Sequence, residues 1–253
     1  MTTSADLGGR VALVTGGSRG IGAATVRALH AAGASVFFTY LSGETAAHAL
    51  RDELGTRAAC ARADMEDRAT LPALVELCIA AFGQLDILVN NAAVFSHNPF
   101  DGKDLERWRA GWERTFAVNL FACADLAWLA MRHMRARRSG RIINVASRAA
   151  HRGELEFPDY GASKAALVNL TKSIARACAH DGITAIAVAP GFVETDMAAY
   201  DMERRGAEIV GEVPIGRIGS AEEVATFIAF LASPVAAYAN GATIDLNGAS
   251  YVR

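Results

Sequence analysis

Tyr160 and Lys164 stand four residues apart in Tyr160-Gly161-Ala162-Ser163-Lys164, a spacing that sets a phenol and an ammonium on one helix face. The chain has only three lysines (Lys103, Lys164, Lys172) and five tyrosines, so mere abundance does not explain the pair. A free phenol titrates near 10, too high for ready proton exchange at neutral pH. A neighbouring cation favours the phenolate and lowers that value, which suits a general acid or base. Ser147 ends a β-branched run upstream, where its hydroxyl can face the same cavity and hold a substrate oxygen. Asn119 falls inside a long helical stretch, an unfavourable place for asparagine unless its side chain is used. Taken singly, Ser147 and Asn119 read more readily as ordinary residues.

A second set of residues suits phosphate. Thr15-Gly16-Gly17-Ser18-Arg19-Gly20-Ile21-Gly22 follows the first predicted strand and opens the first predicted helix. Gly16 permits a tight turn, Gly20 lets the backbone approach a pyrophosphate, and Gly22 packs the helix on the sheet. The helix N-terminus adds N–H donors and positive potential. Gly16, Ser18, Arg19, Gly20, Ile21 and Gly22 are thus candidate nucleotide contacts, with a plain glycine turn as the competing explanation. The second predicted strand ends Tyr40-Leu41-Ser42. It lacks the acid that would bind a ribose 2′-hydroxyl and repel a 2′-phosphate. That absence, with the cation of Arg19 nearby, favours NADP(H), NAD(H) being the alternative; an Arg19 turned to solvent would remove half of the argument.

Asn119, Ser147, Tyr160 and Lys164, together with the Gly-x-x-x-Gly-x-Gly loop, resemble the short-chain dehydrogenase/reductase family from residue 10 to the C-terminus. The pattern is closest to the 3-oxoacyl carrier-protein reductases through Gly191-Phe192-Val193-Glu194-Thr195-Asp196-Met197. The resemblance implies an enzyme that moves a hydride between nicotinamide and a carbonyl or secondary alcohol. Tyr160 would be the acid in reduction and the base in oxidation. Lys164 would lower its pKa and hydrogen-bond the nicotinamide ribose. Ser147 would hold the substrate oxygen, and Asn119 a water linking Lys164 to solvent. The resemblance also sets Asp64 and Met65 beside the adenine and Asn90 as a brace in the sheet. Asn91, Ala92 and Ala93 would border the cofactor, Ala93 standing where the family has glycine. Pro190, Gly191, Val193 and Thr195 would anchor the nicotinamide. It further implies a mobile lid over 195–213 and a homotetramer, or a dimer, built through 116–131, 165–179 and 245–252. Arg138 matches one carrier-docking position, but Asp181 stands where a second arginine is expected, so a carrier-protein partner is weakly supported. A sugar, polyol or small-ketone dehydrogenase fits the scaffold nearly as well. A non-catalytic NADP-binding regulator is the reading from a different class, disfavoured because all four residues are kept.

The elements that must position these groups alternate. Strands are predicted at 11–15, 35–40, 58–62, 85–90, 141–146, 184–189 and 243–246, and helices at 20–32, 44–54, 68–82, 105–137, 160–180 and 221–231. Apolar strands separated by helices indicate a parallel sheet covered on both faces, a doubly wound α/β Rossmann fold. Ligands then sit beyond the strand C-termini, where every motif above falls. With 253 residues, 52% hydrophobic and 21% charged, and no linker or repeat, the chain reads as one domain, 1–253. A net charge of -2 argues against nucleic acid held by bulk electrostatics, and the basic run 132–141 reads as a solvated helix end. Cys60, Cys78, Cys123 and Cys178 are widely spaced, with no metal-ligand pattern, and read as buried thiols of a reducing compartment. The polar N-terminus 1–10 shows no signal segment and no run suits a bilayer, which points to a cytoplasmic setting without a membrane partner. The polar loop 148–159 (Arg148, His151, Arg152, Glu154, Glu156) reads as facing solvent rather than a polar or anionic substrate.

Overall fold

Seven short runs rich in Val, Ile, Leu and Ala form the strands of one parallel sheet. In this computed structural model, residues 6–253 are described, apart from the side chains of Tyr200 and Asp201; the N-terminal expectation up to residue 5 lies outside them. The strands are β1 (Val11–Val14), β2 (Ser35–Tyr40), β3 (Ala58–Arg62), β4 (Ile87–Asn90), β5 (Gly140–Val145), β6 (Ile183–Pro190) and β7 (Thr243–Leu246), ordered β3-β2-β1-β4-β5-β6-β7. Every neighbouring pair is parallel. The predicted doubly wound architecture is what forms. β1 shows why its sequence lacks alternation: all four residues are buried, Ala12 and Val14 in one core and Val11 and Leu13 in the other.

On the first face lie α1 (Gly20–Ala31), α2 (Glu44–Leu54) and α8 (Ala221–Ala232), with Val26, Leu29, Leu50, Val224 and Ile228 turned inward. On the second lie α3 (Leu71–Phe82), α5 (Ala122–Arg137) and α6 (Pro158–Cys178), presenting Leu74, Cys78, Leu126, Met134 and Ile174. α8 starts on a full capping box, Ser220 and Glu223 each satisfying the other's backbone N–H. Among the described residues, no helix is long and apolar enough to cross a membrane.

Two local departures from the predicted elements matter. The expected single helix 105–137 is instead α4 (Leu105–Phe116), a π-helical turn Ala117–Phe121, and α5. The wider turn lies where Asn119 sits, and such π-turns mark functional positions more often than chance allows. The expected lid segment forms α7 (Asp196–Gly211), kinked at Arg205, whose φ is -136° and ψ 20°.

The basic run lies exposed at the end of α5, as expected, and its cations find partners there. Arg137 meets Asp86 at 3.0 Å, Arg135 meets Asp181 at 2.9 Å, and Arg132 lies over Trp128 at 5.0 Å. Asp86 is the hub: its Oδ2 accepts from Val11 N at 2.8 Å at the entry to β1.

Candidate active site

β1 and β4 are adjacent in the sheet, but the chain winds away from them in opposite directions, which opens a crevice at their C-terminal ends. One cavity of about 990 Å³ occupies it. Every nucleotide-site residue named from the sequence, from Gly16 in the loop to Thr195 at the start of α7, lines this cavity, as do Ser147, Tyr160 and Lys164. Asn119 does not; it is fully buried behind the wall.

The glycine loop is locked to β4. Thr15 Oγ1 accepts from Asn91 N and Ala92 N, each at 3.0 Å. Asn91 Nδ2 returns bonds to the carbonyls of Thr15 and Gly16 at 2.9 and 3.0 Å. Gly16 has φ +64°, a left-handed value that a side chain disfavours. A Cβ on Gly22 would overlap the Gly16 carbonyl oxygen, so the first turn of α1 can sit this close to the loop only as glycine. Arg19, the N-cap of α1, makes no side-chain cap hydrogen bond, and the first turn carries no acid. Its N–H groups therefore retain positive potential toward the cavity, and the cradle fits a dinucleotide pyrophosphate.

β2 ends as expected, with Tyr40, Leu41 and Ser42 at the cavity and no acid in the strand end itself; Glu44, which accepts from Tyr40 Oη at 3.3 Å, does not line the cavity. Arg62, paired with Tyr40 across β2 and β3, donates from Nε to the Leu41 carbonyl at 3.2 Å, adding a second cation near this end that the sequence reading overlooked.

The reacting groups come from β5 and α6. Ser147 follows β5, its Oγ accepts from Ala149 N at 3.1 Å, and it lines the cavity together with Tyr160. Lys164, 2% exposed, donates from Nζ to the Val145 carbonyl at 2.7 Å, and that nitrogen lies 5.6 Å from the centroid of the Tyr160 ring. Asn119 Nδ2 donates to Val94 O at 3.0 Å and to Ser163 Oγ at 3.1 Å, while its Oδ1 accepts from Val94 N at 2.8 Å. It thereby clamps the chain leaving β4 to the residue beside Lys164.

The electrostatics differ from the sequence expectation. Burial pushes the Tyr160 phenol up to about 12, the neighbouring Ser147 hydroxyl opposing and Glu154 adding to the rise. Burial pushes Lys164 down to about 8. The ammonium points at a carbonyl rather than the phenol oxygen, so desolvation dominates in the protein alone.

The other end of the cavity was not legible beforehand. Phe95 stacks on Phe157 with centroids 3.9 Å apart and meets the Tyr160 ring edge-on at 4.8 Å. The loop 148–159 does not face solvent as expected: Arg148, Arg152, Glu154 and Glu156 all line the cavity, because the loop turns inward between β5 and α6. His151 instead stacks on Tyr251 near the C-terminus.

A family model described as Enoyl-(Acyl carrier protein) reductase matches residues 16–248. The 3-oxoacyl-[acyl-carrier-protein] reductase FabG of Escherichia coli (strain K12) is 41% identical over 245 residues, covering 96% of this chain and 98% of that protein. The cis-4-hydroxycyclohexanecarboxylate dehydrogenase of Sinomonas cyclohexanicum is 40% identical over 242 residues, covering 94% and 95%. Among solved structures, a blue fluorescent protein from a metagenomic library in complex with NADPH superposes with a TM-score of 0.89 at 39% identity, covering 98% of this chain and 100% of that one. With a doubly wound sheet, a dinucleotide cradle at its switch point and full-length likeness to these enzymes, the chain belongs to the short-chain dehydrogenase/reductase family of oxidoreductases.

Proposed function

We propose that this protein is an NADP(H)-preferring oxidoreductase that interconverts a ketone and a secondary alcohol, with Tyr160 as the acid and base. The observation that carries the reading is Ser147 and Tyr160 together on the cavity wall with the buried Lys164 beside them. A bound nicotinamide supplies or accepts the hydride at the substrate carbon. Ser147 orients the substrate oxygen, and Tyr160 gives that oxygen its proton in reduction and takes it back in oxidation. A phenol held near 12 is fully protonated at neutral pH and ready to act as the acid. Lys164 supplies a nearby positive charge and a donor for the nicotinamide ribose. Asn119 serves as a positioning residue, holding α6 and the strand exit in register. We read α7, which brings Met197 and Arg205 to the cavity, as the lid, and the whole chain as one working unit.

The cofactor preference rests on the acid-free end of β2 and on Arg19. A charge-assisted bond to a 2′-phosphate is worth roughly 1.5–3 kcal/mol, so kcat/KM with NADPH should exceed that with NADH by about 10- to 100-fold. Arg19→Glu should reverse the ratio, and a wild type that prefers NADH would refute the assignment. The likeness to a 3-oxoacyl carrier-protein reductase supports a second reading, in which the substrate is a 3-oxoacyl thioester. Against it, Arg138 is engaged by His180 O at 2.8 Å and Asp181 by Arg135. A panel of cyclic ketones and acetoacetyl thioesters, followed at the NADPH absorbance band, tests the function and separates the two readings.

A further inference from the structure

Beside the reacting groups sits a buried arginine with one guanidinium nitrogen left unpartnered among the described residues. Arg148 directly follows Ser147, is 5% exposed, and lines the cavity. Its Nη2 donates to Glu212 at 3.4 Å, and its guanidinium carbon lies 4.7 Å from the centre of the Phe192 ring. Nη1 is buried and has no partner among the described residues. A guanidinium carries five N–H donors in a planar fork that matches a carboxylate, and one long contact satisfies little of it. Arg152 adds a second cation to the same wall, 3.6 Å from both Glu154 and Glu212. Burial, and next the repulsion of Arg152, hold Arg148 below the ordinary guanidinium pKa, with Glu154 and Glu212 opposing.

Aromatic rings form part of the wall, beside the carboxylates of Glu154 and Glu156. Phe95 stacked on Phe157 forms one side and Phe192 another. An arginine needed only to tie the loop to α7 could pair with Glu212 from the surface, where its remaining donors would be hydrated. Burying it beside Ser147 instead leaves an unpartnered donor at the substrate end of the cavity, which an anion could reach once the link to Glu212 opens.

We propose that the substrate joins its ketone or secondary alcohol to a carboxylate through a hydrophobic skeleton, and that Arg148, assisted by Arg152, receives that carboxylate. This rests on the reading of the site as a ketone–alcohol oxidoreductase and adds the substrate class. Glu212 holds the fork while the pocket is empty and gives way to the substrate carboxylate. Arg148 thus fixes which end of the molecule faces Ser147 and Tyr160.

The test is a calorimetric titration of the NADPH-mixed protein with cyclohexanecarboxylate and with cyclohexanecarboxamide, which match in shape and are not reducible. The carboxylate should bind at least about 30-fold more tightly. Arg148→Gln should reduce that preference to within about threefold, with a thermal melt to show that the variant folds. Glu212→Gln, which removes the competing anion from an exposed position, should tighten carboxylate binding several-fold. A purely structural salt link would predict weaker binding or no change in that variant, so the proposal remains decidable even if Arg148→Gln fails to fold. Equal binding of the two probes by the wild type would overturn the proposal. Turnover of 4-oxocyclohexanecarboxylate and its methyl ester separates the two levels of the argument. Reduction of the ester as efficiently as the acid removes the carboxylate site and leaves the oxidoreductase intact. Reduction of neither brings down the oxidoreductase reading, while the calorimetry still decides the carboxylate site.

Discussion

Tyr160→Phe should lower kcat for ketone reduction by about 100- to 10,000-fold, the range in which a positioned acid contributes to a proton transfer. The substitution deletes one oxygen and little else. The ring keeps its edge-on packing against Phe95 at 4.8 Å and its place beside Lys164 Nζ. The glycine cradle, held by Thr15 and Asn91, lies at the other end of the cavity and is untouched. Affinity for NADPH, followed by fluorescence titration, should therefore stay within about threefold of wild type while turnover collapses. Ser147 would remain anchored to Ala149 N, so the substrate oxygen keeps one hydrogen-bond donor and loses the one that can release a proton. Retention of more than a tenth of the wild-type kcat would remove Tyr160 from the chemistry. A parallel loss of cofactor binding would assign it a structural role instead.

The parts of this architecture that were legible in the sequence are those set by local pattern. The glycine loop, the acid-free end of β2 and the Tyr160–Lys164 spacing each depend on neighbours in the chain, and buried parallel strands write themselves as unbroken apolar runs. The parts that were not legible depend on contacts between distant segments. Asn119 sits in a stretch whose periodicity reads as one helix. The π-turn there accompanies bonds to Val94 and Ser163, 25 and 44 residues away. Arg148 and Arg152 have the composition of a surface loop, and only the turn of that loop between β5 and α6 brings them to the cavity. The stacking of Phe95 on Phe157 joins two loops with no shared period. The phenol shows the limit most clearly: spacing reports that a cation is near, but burial, which sequence does not display, reverses the direction of the shift.

The same burial makes a second result with a large effect. Lys164→Met should abolish measurable turnover and weaken cofactor binding, yet raise the stability of the protein without cofactor. Lys164 titrates near 8 in the fold against 10.5 when free, and its burial is the first cause. That shift corresponds to about 3 kcal/mol by which the folded state disfavours the ammonium. The sign follows from proton binding. Below pH 8 both states carry the ammonium and the fold bears the whole cost. Between 8 and 10.5 the unfolded chain binds more protons, so wild-type stability rises with pH relative to a chain without this lysine. Methionine fills a similar volume without a charge and forfeits the bond to Val145 O, which offsets about 1 kcal/mol of the gain. The net should raise Tm at pH 7 by several degrees, since 1 kcal/mol moves a chain of this size by about 2–4 °C. The advantage should shrink as the pH approaches 10. A calorimetric melt of both proteins at pH 7 and pH 9.5 checks this. A lower Tm for Lys164→Met at pH 7 would mean that the buried ammonium is better solvated than its surroundings imply, and that the site holds its charge without cost to the fold.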